Sequence, residues 1–179
     1  MSKKTADIRV ARLDDTVCIK LEGQANFGSS GTFKKVINDS GGVGAKRFII
    51  DLSGCINMDS TFLGMLSGLG RNWSDKDTPP EERAIELLNP TERVADLIDN
   101  LGVSDLFRIV QAENLDNIDY CESIEAAPGS SKLELSKHCL EAHKILMEHN
   151  PENVAKFKDV AKYFEDEVKK ESGEDDNDS

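Results

Sequence analysis

Residues 47 to 53, RFIIDLS, form a nearly continuous apolar run. That is the pattern of a strand buried on both faces, so the chain must place other elements against either side of it. What precedes and follows the run then sets the class of fold. IRVARL and VCIKLEG, separated by the turn signal DDT, each alternate apolar and polar residues and are rich in β-branched side chains. They predict an antiparallel hairpin that opens the domain.

Between hairpin and buried strand lies NFGSSGTFKKVINDSGG, residues 26 to 42. Ser29 or Ser30 can cap a helix there, Phe33, Val36 and Ile37 form its stripe, and Gly41 sits where it ends. After the strand, CINMDSTFLGML carries the chain into a second helix from Ser60 or Thr61. Leu63, Leu66 and Gly70 mark one of its faces; Phe62, Met65, Leu69 and Trp73 run down the adjoining one. Gly64 and Gly68, one turn apart, remove side-chain bulk and predict a close approach of this helix to the sheet. RAIELLN follows a polar, proline-containing loop as a further strand. Asn89, Pro90 and Glu92 have the spacing of a capping box, Val94, Leu97, Ile98 and Leu101 line the helix it opens, and LFRIVQA gives the last strand. The expected order is β-β-α-β-α-β-α-β, an α/β fold in which helices pack against a mixed β-sheet.

Residues 113 to 130 lack periodicity and read as a linker. Ser131 and Glu134 form another capping box, and Asn150-Pro151 starts a second helix with Val154, Phe157, Ala161, Phe164 and Val168 at spacings of three and four. The domains expected are therefore 1–112 for the main domain, 113–130 for the linker, 131–171 for a C-terminal helical hairpin and 172–179 for an acidic solvating tail. The hairpin reads equally as a lid packed on the domain and as a dimerisation or partner surface.

The formal charge of the 179 residues is −12, and five of those charges fall in the final ESGEDDNDS. Without a basic patch to release counterions, nucleic acid and anionic membranes are disfavoured as partners. Four scattered cysteines with no C-x-x-C pair, and a start without the apolar region of a signal peptide, predict reduced thiols in a cytoplasmic protein. No stretch approaches the ~20 apolar residues that span a bilayer.

Catalytic and metal chemistries find little support. GGVGAK, residues 41 to 46, leads from a helix into a strand, the reverse of a phosphate-cradling loop. His138, His143 and His149 do not share a helical face; Cys139 and His143 do, but two ligands do not make a zinc site. No histidine occurs before residue 138, so no serine–histidine–acid set is found and histidine-dependent catalysis in the main domain is excluded. No cofactor and no enzymatic activity are expected. MDSTFLG remains. A cap needs one of Asp59, Ser60 and Thr61, and the site carries all three in series. A phosphate on Ser60 would sit at a helix amino terminus, where free N–H groups and the macrodipole favour an anion. It would add about −1.5 to −2 charges beside Asp59 and obstruct whatever docks on the face carrying Phe62 and Met65.

Residues 8 to 112 resemble a STAS domain, the fold of bacterial anti-sigma factor antagonists. The resemblance rests on the order of elements, on LEGQAN where that family often has G-E-L-D, on FIIDLSGCINMDSTFLG where it has an apolar strand followed by a D-S-S/T-G-L-G-like segment, and on RVADLIDNLGVSDLFRIV at its final helix and strand. It implies a STAS-like mixed sheet with the helical hairpin as an extension. It also implies that the hydroxyl after the motif aspartate, Ser60 with Thr61 next in line, is phosphorylated by an anti-sigma factor serine kinase. The unphosphorylated form would bind that kinase and free a sigma factor, and a serine phosphatase would reset it. Asn26, Asp59, Thr61, Phe62 and Met65 are the partner-binding residues so implied. Phe62 stands where the family usually has glycine, and Asn26 where it has the acid of G-E-L-D. STAS-like domains also serve as scaffolds of signalling complexes and accessory subunits of lipid transporters. That is the alternative reading, without a phospho-switch.

Overall fold

The computed structural model describes residues 5–75, 77–113, 118–120, 124 and 131–173. Most of the expected linker, with Cys121, and the acidic tail beyond residue 173 lie outside them.

Strands β1 (Asp7–Leu13) and β2 (Thr16–Ala25) pair antiparallel from Asp7 opposite Glu22 to Leu13 opposite Thr16. The two-residue turn between them puts Asp14 at φ 55°, a conformation aspartate tolerates better than most residues. From β2 the sheet continues in parallel through β3 (Arg47–Asp51), β5 (Ile85–Leu88) and β6 (Arg108–Val110), in the order β1-β2-β3-β5-β6. The buried run of the sequence is thus a central strand, with Phe48, Ile50 and Leu52 fully enclosed.

One strand was not visible as such in the sequence. β4 (Cys55–Met58) pairs in parallel with the last residues of β2, from Gly23 to Ala25, where the register shifts and Gly23 takes φ 105°. Four residues with two partly or fully exposed side chains carry too little periodicity to read as a strand. Its effect is to deliver Asp59 to the edge of the sheet at a defined height, because the Asp59 N–H bonds the carbonyl of Ala25 at 3.0 Å.

Among the described residues five α-helices accompany the strands, three between them and two after: α1 (Phe27–Gly42), α2 (Ser60–Trp73), α3 (Glu92–Asn100), α4 (Lys132–His149) and α5 (Asn153–Ser172). Several boundaries differ from expectation. α1 is capped by Asn26, not Ser29 or Ser30: the Asn26 side chain accepts from Gly28 and the Ser29 hydroxyl answers the Asn26 N–H, a capping box begun three residues early. Thr91 takes the N-cap position of α3, with its hydroxyl donating to the Cys55 carbonyl instead of the helix, because Asn89 sits at φ 50° and spends its amide on both backbone groups of Ala112. Asn150 closes α4 instead of opening α5.

α2 is the layer that explains the packing. Thr61, Phe62, Leu63, Gly64, Leu66, Ser67, Leu69 and Gly70 are all buried, so the helix is enclosed on nearly every side, as only an element between two layers can be. Phe62 and Leu66 join the sheet-side core, where the Phe62 ring meets Phe33 of α1 at 5.1 Å. α4 lies along the opposite side, and α5 packs on α4. The two glycines one turn apart therefore serve a different neighbour from the one expected. A Cβ on Gly64 would collide with the backbone carbonyl of Ala142, and one on Gly68 would come within 2.8 Å of Ile145 Cδ1. They make room for α4, not for the sheet.

The turn of the hairpin is anchored on the end of α3. Asn150 and Asn153 both donate to the carbonyl of Leu101, at 3.3 and 2.9 Å, satisfying an acceptor the helix end leaves open. His149 with Asp105 at 2.9 Å, Arg71 with Glu148 at 3.3 Å and Lys34 with Glu141 at 3.7 Å add polar contacts along the seam.

Candidate functional site

The site lies where β4 turns into α2. Asp59 is the cap: its Oδ1 accepts from the Phe62 N–H at 2.8 Å. Its Oδ2 accepts from the Phe27 N–H, also at 2.8 Å, so one carboxylate serves the amino termini of α2 and α1 together. Ser60 is thereby released from capping. It is the first residue of α2, partly buried, with its hydroxyl free to make another bond.

That bond goes to the hairpin. Ser60 Oγ lies 2.9 Å from Nε2 of His143, whose ring is 4% exposed. His143 Nδ1 lies 2.6 Å from the carbonyl of Cys139 one turn earlier in α4. A carbonyl can only accept, so Nδ1 carries the proton, and in the neutral ring Nε2 accepts from the Ser60 hydroxyl. Phe164 of α5 stacks on the imidazole at 6.2 Å with 14° between planes, and Phe157 tilts against it at 5.0 Å. Beside this pair the Thr61 hydroxyl donates to Cys139 Sγ at 3.7 Å. Burial pushes the Cys139 thiol up; the Thr61 hydrogen bond works against this and the nearby Asp59 charge with it.

A serine and a histidine are thus joined across 83 residues, which corrects the expectation that no histidine reaches a hydroxyl of the main domain, because the histidine comes from the C-terminal hairpin. Spacing in the chain showed only that Cys139 and His143 share a face of α4; nothing local said which residue that face meets. The third member is a backbone carbonyl, and the ring is oriented without a carboxylate. Among the described residues no group of three or more histidine, cysteine or acidic side chains is placed to hold a metal ion.

The remaining residues implied for partner binding are placed as follows. Asn26 is the cap of α1, partly buried. Thr61 is buried under α4. Phe62 has no exposed surface, so its ring fills the core between α1 and the sheet and does not border a docking face. Met65 is partly buried and lines a cavity of about 130 Å³ between α1, α2 and α4, together with Thr61, Gly68 and Ala142. Exposed apolar side chains near Asp59 come instead from Phe27 and Ile56, at 51% and 65%.

The profile of the STAS domain family matches residues 7–115, well over half of the chain. The protein belongs to the STAS domain family. Its fold is similar to that of the anti-sigma factor antagonist SpoIIAA in its unphosphorylated form, with 20% identity, 61% of this chain and 90% of that one covered, and a TM-score of 0.50. A putative anti-sigma factor antagonist from Thermotoga maritima gives 19% identity, 61% and 88% coverage and a TM-score of 0.50. One from Mycobacterium paratuberculosis gives 15%, 63% and 90%, and 0.51. No curated protein sequence matches the chain. The family match ends before α4, so the hairpin that supplies His143 lies outside it. No helix among the described residues is long and apolar enough to cross a membrane.

Proposed function

We propose that the protein is a non-enzymatic regulatory module of the anti-sigma factor antagonist type, switched by phosphorylation of Ser60 and binding a serine kinase that is itself an anti-sigma factor. The observation that carries this reading is the position of Ser60. It is the first residue of α2, directly after the capping aspartate, in a chain of the STAS family. Its hydroxyl is relieved of capping by Asp59 and stands at the positive end of the helix macrodipole, where a phosphate is electrostatically favoured. In the transfer, the Ser60 oxygen would bond the γ-phosphorus of ATP as the bond to the β-phosphate oxygen breaks. ADP leaves, and the hydroxyl proton passes to a base of the kinase. A phosphatase would hydrolyse the ester and restore the hydroxyl. Thr61, buried and bonded to Cys139, is the weaker acceptor of the two.

Incubation with a cognate anti-sigma serine kinase and ATP, followed by peptide mass mapping, tests the reading. Phosphate on Ser60 is expected, and its absence from both Ser60 and Thr61 would overturn the switch. Ser60→Asp should weaken kinase binding by at least about tenfold, through a charge at the docking edge.

One observation favours a second reading. The Ser60–His143 bond gives the hydroxyl a purely structural use, tying the hairpin to the domain. A scaffold or accessory subunit of a signalling or transport complex would need no more than that. Its mark would be partner binding that is the same for wild type, Ser60→Ala and Ser60→Asp.

A further inference from the structure

The face of α2 that begins at Ser60 is already occupied. Ala142 sits against Gly64, Ile145 against Gly68, Cys139 against Thr61 and His143 against Ser60, so the first two turns of the helix are covered by α4 of the same chain. We propose that the α4–α5 hairpin is an internal competitor for this face: it must leave for a kinase or partner to reach Ser60, and negative charge on Ser60 drives it off. The proposal rests on the reading of Ser60 as the switch residue, and adds to it a second position of the hairpin.

Three features of the contact carry it. The 2.9 Å between Ser60 Oγ and His143 Nε2 leaves no room for a phosphoryl group between them. The imidazole is buried against the rings of Phe157 and Phe164, with Nδ1 taken by the Cys139 carbonyl, an enclosure that would strip water from an anion. The Asp59 carboxylate, on the residue next to Ser60, repels one. A phosphate on Ser60 and a docked hairpin therefore exclude each other. By linkage, whatever favours the undocked hairpin favours modification of Ser60 by the same factor.

The seam is built for release. Its Ser60 end consists of small or polar side chains, Ser60, Thr61, Gly64, Cys139, Ala142 and His143, while Ile145 packs on Gly68 and Leu146 reaches the main core nearer the hairpin turn. That turn is held separately, by Asn150 and Asn153 on Leu101. Release at the Ser60 end can thus proceed with the turn as hinge.

Cys139 reports the event in the full-length chain without a kinase. Its thiol faces Thr61 and is 7% exposed, whereas Cys18 and Cys55 lie fully buried in the sheet domain. Alkylation by iodoacetamide, with each cysteine followed by peptide mass mapping, should be at least about tenfold faster at Cys139 in Ser60→Asp than in wild type, with Cys18 and Cys55 unchanged. Ser60→Ala, which loses the bond but adds no charge, should give a smaller increase. Equal Cys139 rates in Ser60→Asp and wild type would overturn the competitor. So would equal acceleration at Cys18, Cys55 and Cys139 alike, since the hairpin would then have no opening of its own. The two readings fail separately: acceleration confined to Cys139 in a protein that no kinase phosphorylates keeps the displaceable hairpin and removes the switch. Phosphorylation of Ser60 with Cys139 still protected removes the competitor and keeps the switch.

Discussion

The Phe62 ring has no exposed surface and meets Phe33 at 5.1 Å, in the angle between α1, α2 and the sheet. Phe62→Ala should cost about 3–5 kcal/mol, the usual loss for an enclosed phenylalanine, read as a lower urea midpoint. Substitution in place of the family's usual glycine is thus a packing decision, and it leaves the edge of the site to Phe27 and Ile56. The sequence placed Asp59 and Ser60 at a helix start correctly, because caps and apolar periodicity are local signals, but put them directly after the central strand β3 where β4 in fact intervenes. The direction of the Phe62 ring was not legible, since two adjoining apolar faces of one helix look alike until both neighbours are known. Nor was the bond to His143, which depends on a contact between elements 83 residues apart.

Among the helices, Gly64 and Gly68 offer the sharpest contrast. At Gly64 a side chain meets backbone, the carbonyl of Ala142, which cannot move without the whole of α4. At Gly68 it meets the tip of Ile145, which can rotate away. Gly68→Ala should therefore be neutral or stabilise by up to about 1 kcal/mol through helix propensity, while Gly64→Ala lowers the melting temperature and accelerates alkylation of Cys139. Both glycines were evident in the sequence as a sign of close approach, but the partner was misassigned to the sheet. A small-residue stripe records that something comes near and says nothing of what. Likewise the capping box expected at Ser131 is present, one not expected forms at Asn26, and Asn89 had the right spacing and a different use.

For the molecule as a whole, the three buried thiols among the described residues set a limit on the alkaline side. Burial raises Cys18, Cys55 and Cys139 above the ordinary 9.0, with Glu86 and Asp51 adding to the effect at Cys18. The folded chain keeps these protons at a pH where the unfolded chain has begun to lose them. The stability they contribute is full below pH 9.0 and is lost as pH rises through the folded values. Urea midpoints should be flat from neutrality upward and fall beyond about pH 9, where the unfolded thiols ionise. The layered order of sheet, α2, α4 and α5 follows from a helix with hardly any polar face; the sequence showed the apolar residues of α2 but not that two layers would divide them. The Asp59 carboxylate has a mechanical meaning in this assembly. With one oxygen on Phe62 N–H and the other on Phe27 N–H, it works as a yoke between α2 and α1. A pull on the Ser60 end of α2 is shared with the first turn of α1, so an event at one hydroxyl is felt at the exposed Phe27, on a helix that the hairpin's release would leave seated on the sheet.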